Sequence, residues 1–393
     1  MRYKPPSSWQ KLAFKDAAEV ITGSTPSTKE PENYGEYLPF VTPGELDLGE
    51  PIIHAETSLS LVGKAKARTV PKDSVLVCCI GSLGKVGITG REVAFNQQIN
   101  ALVFNEKLVC PRYGYHYCRT LKPLLSHMAP STTVAIVNKS RFQSLEIPLP
   151  PLEEQRRIAA ILDKADGVRR KRKEAIRLTE ELLKSTFLEM FGDPVTNPKG
   201  WEIKKLEEVT TKITDGVHSR PNYTEQGVPF ISVKDITTGE LKFDDCKFIS
   251  EEDHKKYKKR CNPDLGDILY TKVGATYGRP ALVNVKSEFS LYVSVCLIKP
   301  QRDLIFPEFL KEALATPALK RQADRSIKGI GVPDLHLNMI KDFIVPVPPI
   351  YKQKEFLEIA SKIQSSKESL TSCSQESEDL FNSLLQRAFR GEL

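Results

Sequence analysis

The segment Pro148-Leu149-Pro150-Pro151-Leu152-Glu153-Glu154-Gln155-Arg156 returns 198 residues later as Pro346-Val347-Pro348-Pro349-Ile350-Tyr351-Lys352-Gln353-Lys354. The same offset carries Leu182 onto Leu380, Ser185 onto Ser383 and Phe191 onto Phe389. Such self-similarity constrains the fold more than any composition does, because two copies of one unit must be accommodated. An offset that holds over about 40 residues admits no insertion, as expected of a single uninterrupted helix.

Upstream the repeat continues, but its offset drifts as it does where loops differ in length. Trp9 pairs with Trp201, Ile21-Thr22 with Ile213-Thr214, and Pro39 to Leu46 with Pro229 to Ile236. Ser74-Val75-Leu76 followed by Gly81-Ser82-Leu83-Gly84-Lys85 pairs with Asp267-Ile268-Leu269 followed by Gly274-Ala275-Thr276-Tyr277-Gly278-Arg279. The order is globule (1–147), helix (148–193), globule (194–346), helix (347–393). Short apolar runs bounded by Gly, Pro and Asn, such as Ser74 to Ile80 and Tyr292 to Ile298, predict strand-rich globules. With helical stretches near His116 to His127 and Pro307 to Arg325, the class is α+β.

Each long helix opens after a Pro-Pro pair and closes at Gly192-Asp193-Pro194 or Gly391. At about 1.5 Å per residue, roughly 39 residues would span about 58 Å. A stripe at steps of 3 and 4 runs Ile158, Ile161, Ala165, Val168, Arg172, Ala175, Thr179, Leu182 in the first helix. Its counterpart runs Phe356, Ile359, Ile363, Ser366, Leu370, Cys373, Ser377, Leu380. Both are apolar at the ends and thin in the middle. A repeat folded about a pseudo-twofold axis pairs such helices as an antiparallel coiled coil.

Hydrophobic residues at 40% and charged residues at 27% are those of a soluble protein, and no apolar run approaches the roughly 18 residues of a membrane helix. MRYKPPSSWQ has no signal-like apolar core, so a cytoplasmic location is expected. The eight cysteines show neither CxxC nor ligand spacing and read as buried small side chains. The formal charge of +7 divides into +4 for 1–147, +1 for 148–197, +3 for 198–346 and −1 for 347–393. The excess lies in the two globules, which suits a phosphate-facing surface on each and equally a bland soluble domain.

The doubled PLPPLEEQ-type helix opening, the linker FLEMFGDPVTNPKGW and the GSLGKVG and GATYGR turns resemble the specificity (S) subunit of type I restriction-modification systems along essentially the whole chain. The resemblance implies two target-recognition domains, each reading half of a split, asymmetric target in double-stranded DNA. It implies helices that set the unread spacer, two methyltransferase (M) subunits docked on the helical regions, and restriction/translocase (R) subunits joining that core. S-adenosylmethionine, ATP and Mg2+ would belong to those partners, leaving this chain without catalysis, cofactor or metal. Gln155, Ile158, Ile161, Gln353, Phe356 and Ile359, at the helix openings, are the candidate partner contacts.

A reader of base edges needs short polar and basic side chains on loops held by a rigid scaffold. The Gly-rich turns have that composition, as do Ser131-Thr132-Thr133 and Lys328-Gly329-Ile330-Gly331 before the last strand of each globule. The candidate DNA contacts are Ser82, Lys85, Thr132, Thr133, Lys272, Thr276, Tyr277, Arg279 and Lys328. The bland reading makes the turns plain hairpins. GSLGKVG is not a phosphate-cradling loop, because Val86 stands where Ser or Thr would follow the lysine. Arg169-Arg170-Lys171-Arg172-Lys173 reads as a solvated helix face, with DNA phosphate or an acidic partner as its rival. No NPPY-type, GxGxxG, nuclease-like or HExxH motif is present. A stand-alone nuclease or methyltransferase with an unrecognised site remains open, testable on the purified chain, as does a scaffold that binds no DNA.

Overall fold

The structure, a computed structural model, describes residues 6–129, 134–327 and 332–393. The chain forms two compact units: residues up to Ala175 with Leu370–Leu393, and Ile176–Ser369. Each unit holds one globule and half of each long helix.

In the first unit β1 (Ala18–Thr22), β2 (Val75–Cys78), β3 (Val86–Ile88) and β4 (Ile99–Phe104) form an antiparallel sheet in the order β1-β4-β2-β3. The second unit repeats it with β5 (Thr210–Asp215), β6 (Ile268–Thr271), β7 (Pro280–Leu282) and β8 (Val295–Pro300), ordered β5-β8-β6-β7. The central strands are unbroken apolar runs because both sheet faces are covered. Val75 and Val77 enter a core with Phe14, Tyr113 and Leu162, while Leu76 and Cys78 enter another with Val41 and Phe95. Ile268 and Tyr270 likewise join Phe309 and Phe356, and Leu269 joins Ile231 and Leu291. The second core of each unit lies toward a smaller four-stranded sheet, built around Tyr34–Val41 and Val228–Ile231 respectively. A two-stranded ribbon brings the ends of each globule together, Gln10–Ala13 with Glu146–Leu149 and Ile203–Lys205 with Ile344–Pro346.

The long helices are Leu152–Phe191 and Ile350–Ala388, and Gly192 (φ +73°) and Gly391 (φ +70°) stop them in the left-handed conformation. They pair antiparallel as expected. In the first unit Arg169 and Lys173 meet Glu378 at 2.9 and 3.0 Å. In the second, Lys367 meets Glu180 at 2.9 Å and the Phe187 and Phe356 rings lie 5.3 Å apart.

The buried stripe differs from the expected one. Ile158, Leu162 and Asp166 face inward against Phe381 and Leu385, whereas Val168, Leu182 and Leu380 are about half exposed and Ile359 is 36% exposed. Each half-helix must cover its own globule as well as its partner helix, and the i, i+4 row satisfies both where the coiled-coil seam would satisfy one. The basic run is not a free face either. Arg169 bridges Asp166 and Glu378, Arg170 reaches Glu50, and Arg172 donates to the Cys373 carbonyl and the Ser377 hydroxyl. Asp166 is 2% exposed and holds Arg119 as well, so cations of this run neutralise a buried carboxylate.

Candidate nucleic-acid interface

In each main sheet two strands run against the strand between them, so three loops emerge at one end. In the first unit these are 23–29 after β1, 79–85 after β2 and 96–98 before β4. They are stitched together: Gly23 N–H donates to Ile99, Ser24 to Phe95 and Cys79 to Gln98, all at 2.8–3.1 Å. The second unit repeats the stitching, with Gly216 donating to Val295, Val217 to Leu291 and Lys272 to Ser294. A fourth loop joins, since Gly81 donates to the Ala135 carbonyl and Gly274 to the Pro333 carbonyl, both at 2.9 Å. Glycine at 23 and 216 follows from close approach: a Cβ there would sit 2.1 Å from the Asn96 carbonyl oxygen or 2.0 Å from that of Leu291. Gly81, Gly84, Gly274 and Gly278 all have φ between +75° and +91°, which sets the turn shape.

Lys85 and Arg279 hold equivalent places. Lys85 Nζ donates to the Pro43 carbonyl at 3.1 Å, and Arg279 Nη1 donates to the Thr237 carbonyl at 2.8 Å. Each ties its turn to the loop after the central strand of the smaller sheet and retains spare donors. Ser82 is exposed and Thr276 half-buried. The Tyr277 hydroxyl is held by Asp324, and the Lys320 ammonium lies 3.3 Å from the Tyr277 ring centre. Hydrogen bonds from Lys320 and Tyr277 hold the Asp324 carboxyl below the usual range.

Lys272 lies away from solvent. It is 5% exposed, between Asp215 (3.6 Å) and Asp334 (3.4 Å), while its repeat counterpart Cys79 is a buried thiol that burial pushes up to about 12. Thr132, Thr133 and Lys328 lie outside the described residues. Sequence reasoning overlooked Thr25 and Gln97 in the first unit, and His218 and Arg220 in the second, all exposed on these loops. For Thr25, His218 and Arg220 the signal was the aligned Ile-Thr pair, followed by a glycine and a short polar stretch directly in the first copy and after Asp215 in the second.

The helix openings hold a different device. Gln155 is 1% exposed; its Oε1 accepts from Cys110 N–H at 2.9 Å, and its Nε2 donates to the Leu108 and Pro150 carbonyls at 3.0 and 2.9 Å. Gln353, fully buried, repeats all three bonds with Phe306, Leu304 and Pro348. Ile158 and Phe356 are fully buried too. These four side chains fasten each helix to its own globule and are out of reach of a partner. Ile161 and Ile359 remain accessible. Ile161 lines a groove of about 470 Å³ with Val168, Leu380 and Leu384. In the second unit Leu178 and Leu182, the repeat counterparts of Glu376 and Leu380, are exposed together with Ile359.

The family model for the type I restriction modification DNA specificity domain matches residues 6–178 and again 198–376. The chain belongs to that family. This specificity subunit is 27% identical over 369 residues to the type I restriction enzyme MjaIX specificity subunit of Methanocaldococcus jannaschii, covering 88% of this chain and 84% of the relative. It is 24% identical to the EcoBI specificity subunit of Escherichia coli, over 98% and 86% of the two chains. The crystal structure of the type I S subunit from M. genitalium shares its fold over 98% of both chains, with a TM-score of 0.55 and 15% identity. A chain from a study of complex assembly and conformational transition of the type I R-M system aligns over the full length of both, with a TM-score of 0.58 and 21% identity. Each family match spans one globule with much of the long helix that follows it, and so contains one of the two loop ends. Among the described residues of the subunit no helix is long and apolar enough to cross a membrane, and no group of three or more His, Cys, Asp or Glu is placed to hold a metal ion.

Proposed function

We propose that this specificity subunit reads an asymmetric, bipartite target in double-stranded DNA, one half-site with each four-loop end. The supporting observation is that one scaffold occurs twice in the chain carrying different side chains. Ser24, Thr25, Gln97 and Lys85 project from the first, and His218, Arg220, Tyr277 and Arg279 from the second. Hydroxyls, amides and cations read different base edges, so two unlike sets on one frame favour two unlike half-sites. Lys85 and Arg279 are proposed to contact DNA with the donors their carbonyl bonds leave over, and Ser82, Thr276 and Tyr277 to line the same surface. The long helices set the unread gap. The exposed stripes at Ile161 and Ile359 are the proposed docking faces for two methyltransferase subunits, with restriction/translocase subunits joining them. Catalysis is assigned to those partners, as are S-adenosylmethionine, ATP and Mg2+, in a cytoplasmic complex. Mapping methylated bases in cells that express the complex tests the reading. A split target with unlike halves is expected, and a palindromic or continuous target would overturn it.

A further inference from the structure

The second unit carries an opening of about 510 Å³ beside its reading loops, between Gly216–Ser219 and the helix Glu251–Lys258. Its floor is apolar, made by Val217, Tyr257, Cys261 and Leu291. Its rim is cationic, with Lys256 and Arg260 joined by the imidazole of His218. Arg260 is held in place by a buried group: the Asp215 carboxylate, 2% exposed, accepts from Arg260 Nη2 and lies 3.1 Å from His218 Nε2. Asp215 also faces Lys272 at 3.6 Å, so the carboxylate is already compensated and the Arg260 side chain, 55% exposed, retains donors that Asp215 does not use. In the first unit the arginine two residues beyond the corresponding helix, Arg68, instead donates to the Thr22 carbonyl at 2.8 Å.

We infer that this pocket binds one deoxyribose-phosphate of the DNA backbone beside the second half-site. The apolar floor takes the sugar, and Arg260 and Lys256 take the phosphate. A lone inorganic anion would leave the floor uncovered. A sugar-phosphate covers floor and rim together, and backbone contacts of this kind set register on the duplex without reading sequence. An arginine fixed before binding loses little freedom on contact. Lys256 is 60% exposed and paired at the surface with Glu252 at 3.0 Å and Asp253 at 3.7 Å, partners that phosphate can replace.

The inference rests on the DNA-reading function above, and the test separates the two. The full chain, assembled with its methyltransferase partner, is titrated with its mapped target and with an unrelated duplex between 50 and 200 mM salt. Arg260→Gln together with Lys256→Gln should flatten the plot of log affinity against log salt by about 0.9. Both duplexes should be weakened alike and sequence choice left unchanged. Lys256→Gln alone, which leaves Asp215 untouched, should flatten the plot in part and guards against misfolding of the pair. An unchanged slope in both variants, with the wild type binding its target, overturns the pocket alone. A loss confined to the mapped target also overturns it, since base reading would then be the role. A wild type that binds neither duplex overturns both readings.

Discussion

Replacing Gln155 with Ala distinguishes a side chain that builds the subunit from one that recruits a partner. Truncation leaves three backbone groups without their bonds: the Cys110 N–H and the carbonyls of Leu108 and Pro150. An unsatisfied buried polar group costs about 1 to 3 kcal/mol. Water entering at the helix opening relieves part of that, so a loss of about 2 to 4 kcal/mol is expected. With a urea m-value of about 2 kcal/mol per molar, the midpoint should fall by about 1 to 2 M. Gln155→Glu should do no better, because carboxylate oxygens would face two carbonyls that now receive N–H bonds.

The chain supplies its own reporters. It has two tryptophans, Trp9 packed on the core of the first unit and Trp201 on that of the second. In chains keeping only one of them, Gln155→Ala should lower the fluorescence transition of Trp9 more than that of Trp201, and Gln353→Ala should do the reverse. Either midpoint staying within about 0.2 M of wild type would refute the clamp, as would wild-type stability in Gln155→Glu. Loss of partner binding at unchanged stability would restore a recruiting role.

Ile161→Asp with Leu380→Asp should abolish co-purification of the methyltransferase subunit while stability changes by no more than about 0.5 kcal/mol, as for other surface changes; retained co-purification would remove the groove from the docking face. Lys272→Met should cost about 1 to 3 kcal/mol, because Asp215 loses one buried cation but keeps Arg260 and His218, so protein of wild-type stability with lost DNA binding would contradict its burial. His116 is buried beside Asp163 at 2.7 Å, and burial holds its pKa below the ordinary value, so the unfolded state binds more protons below about pH 6.5 and the first unit loses stability as pH falls through that point. His116→Gln should flatten the Trp9 transition between pH 7.5 and 5.5, and an unchanged slope would assign the effect to another group. Four residues inserted into both long helices at matched midpoints add about 6 Å, close to two base pairs at about 3.4 Å each. The methylated target should keep both halves and gain one or two unread pairs, and an unaltered gap would refute the ruler.

The long helices were legible because their signals are local. Proline opens them, glycine stops them, and an insertion-free repeat spans each. Their packing stripe was less legible, since Ile158 belongs equally to the 3-4 seam and to the i, i+4 row, and only the globule core decides between them. Gln155 shows the same limit. Polar and near a helix start, it reads as surface, yet the partners that bury it lie 45 to 47 residues earlier. Lys272 and Arg279 share one Gly-rich turn and the same composition. Lys272 is taken inward because β5 ends in Asp215, a residue with no counterpart between Thr22 and Gly23 in the first copy.

That contrast separates frame from reader at the loop ends. What recurs in both units is backbone work: glycine against a carbonyl at 23 and 216, N–H bonds stitching the loops, and one cation closing each turn onto Pro43 or Thr237. What differs is whatever projects beyond that work. Lys85 spends one of three donors on its carbonyl and keeps two on a compact ammonium, whereas Arg279 spends one of five and keeps four in a planar fork. The fork can still address two acceptors on a guanine edge, and the ammonium acts as a single cation. Two copies of one frame therefore need not read alike, and the difference lies in a few side chains that leave the frame unchanged.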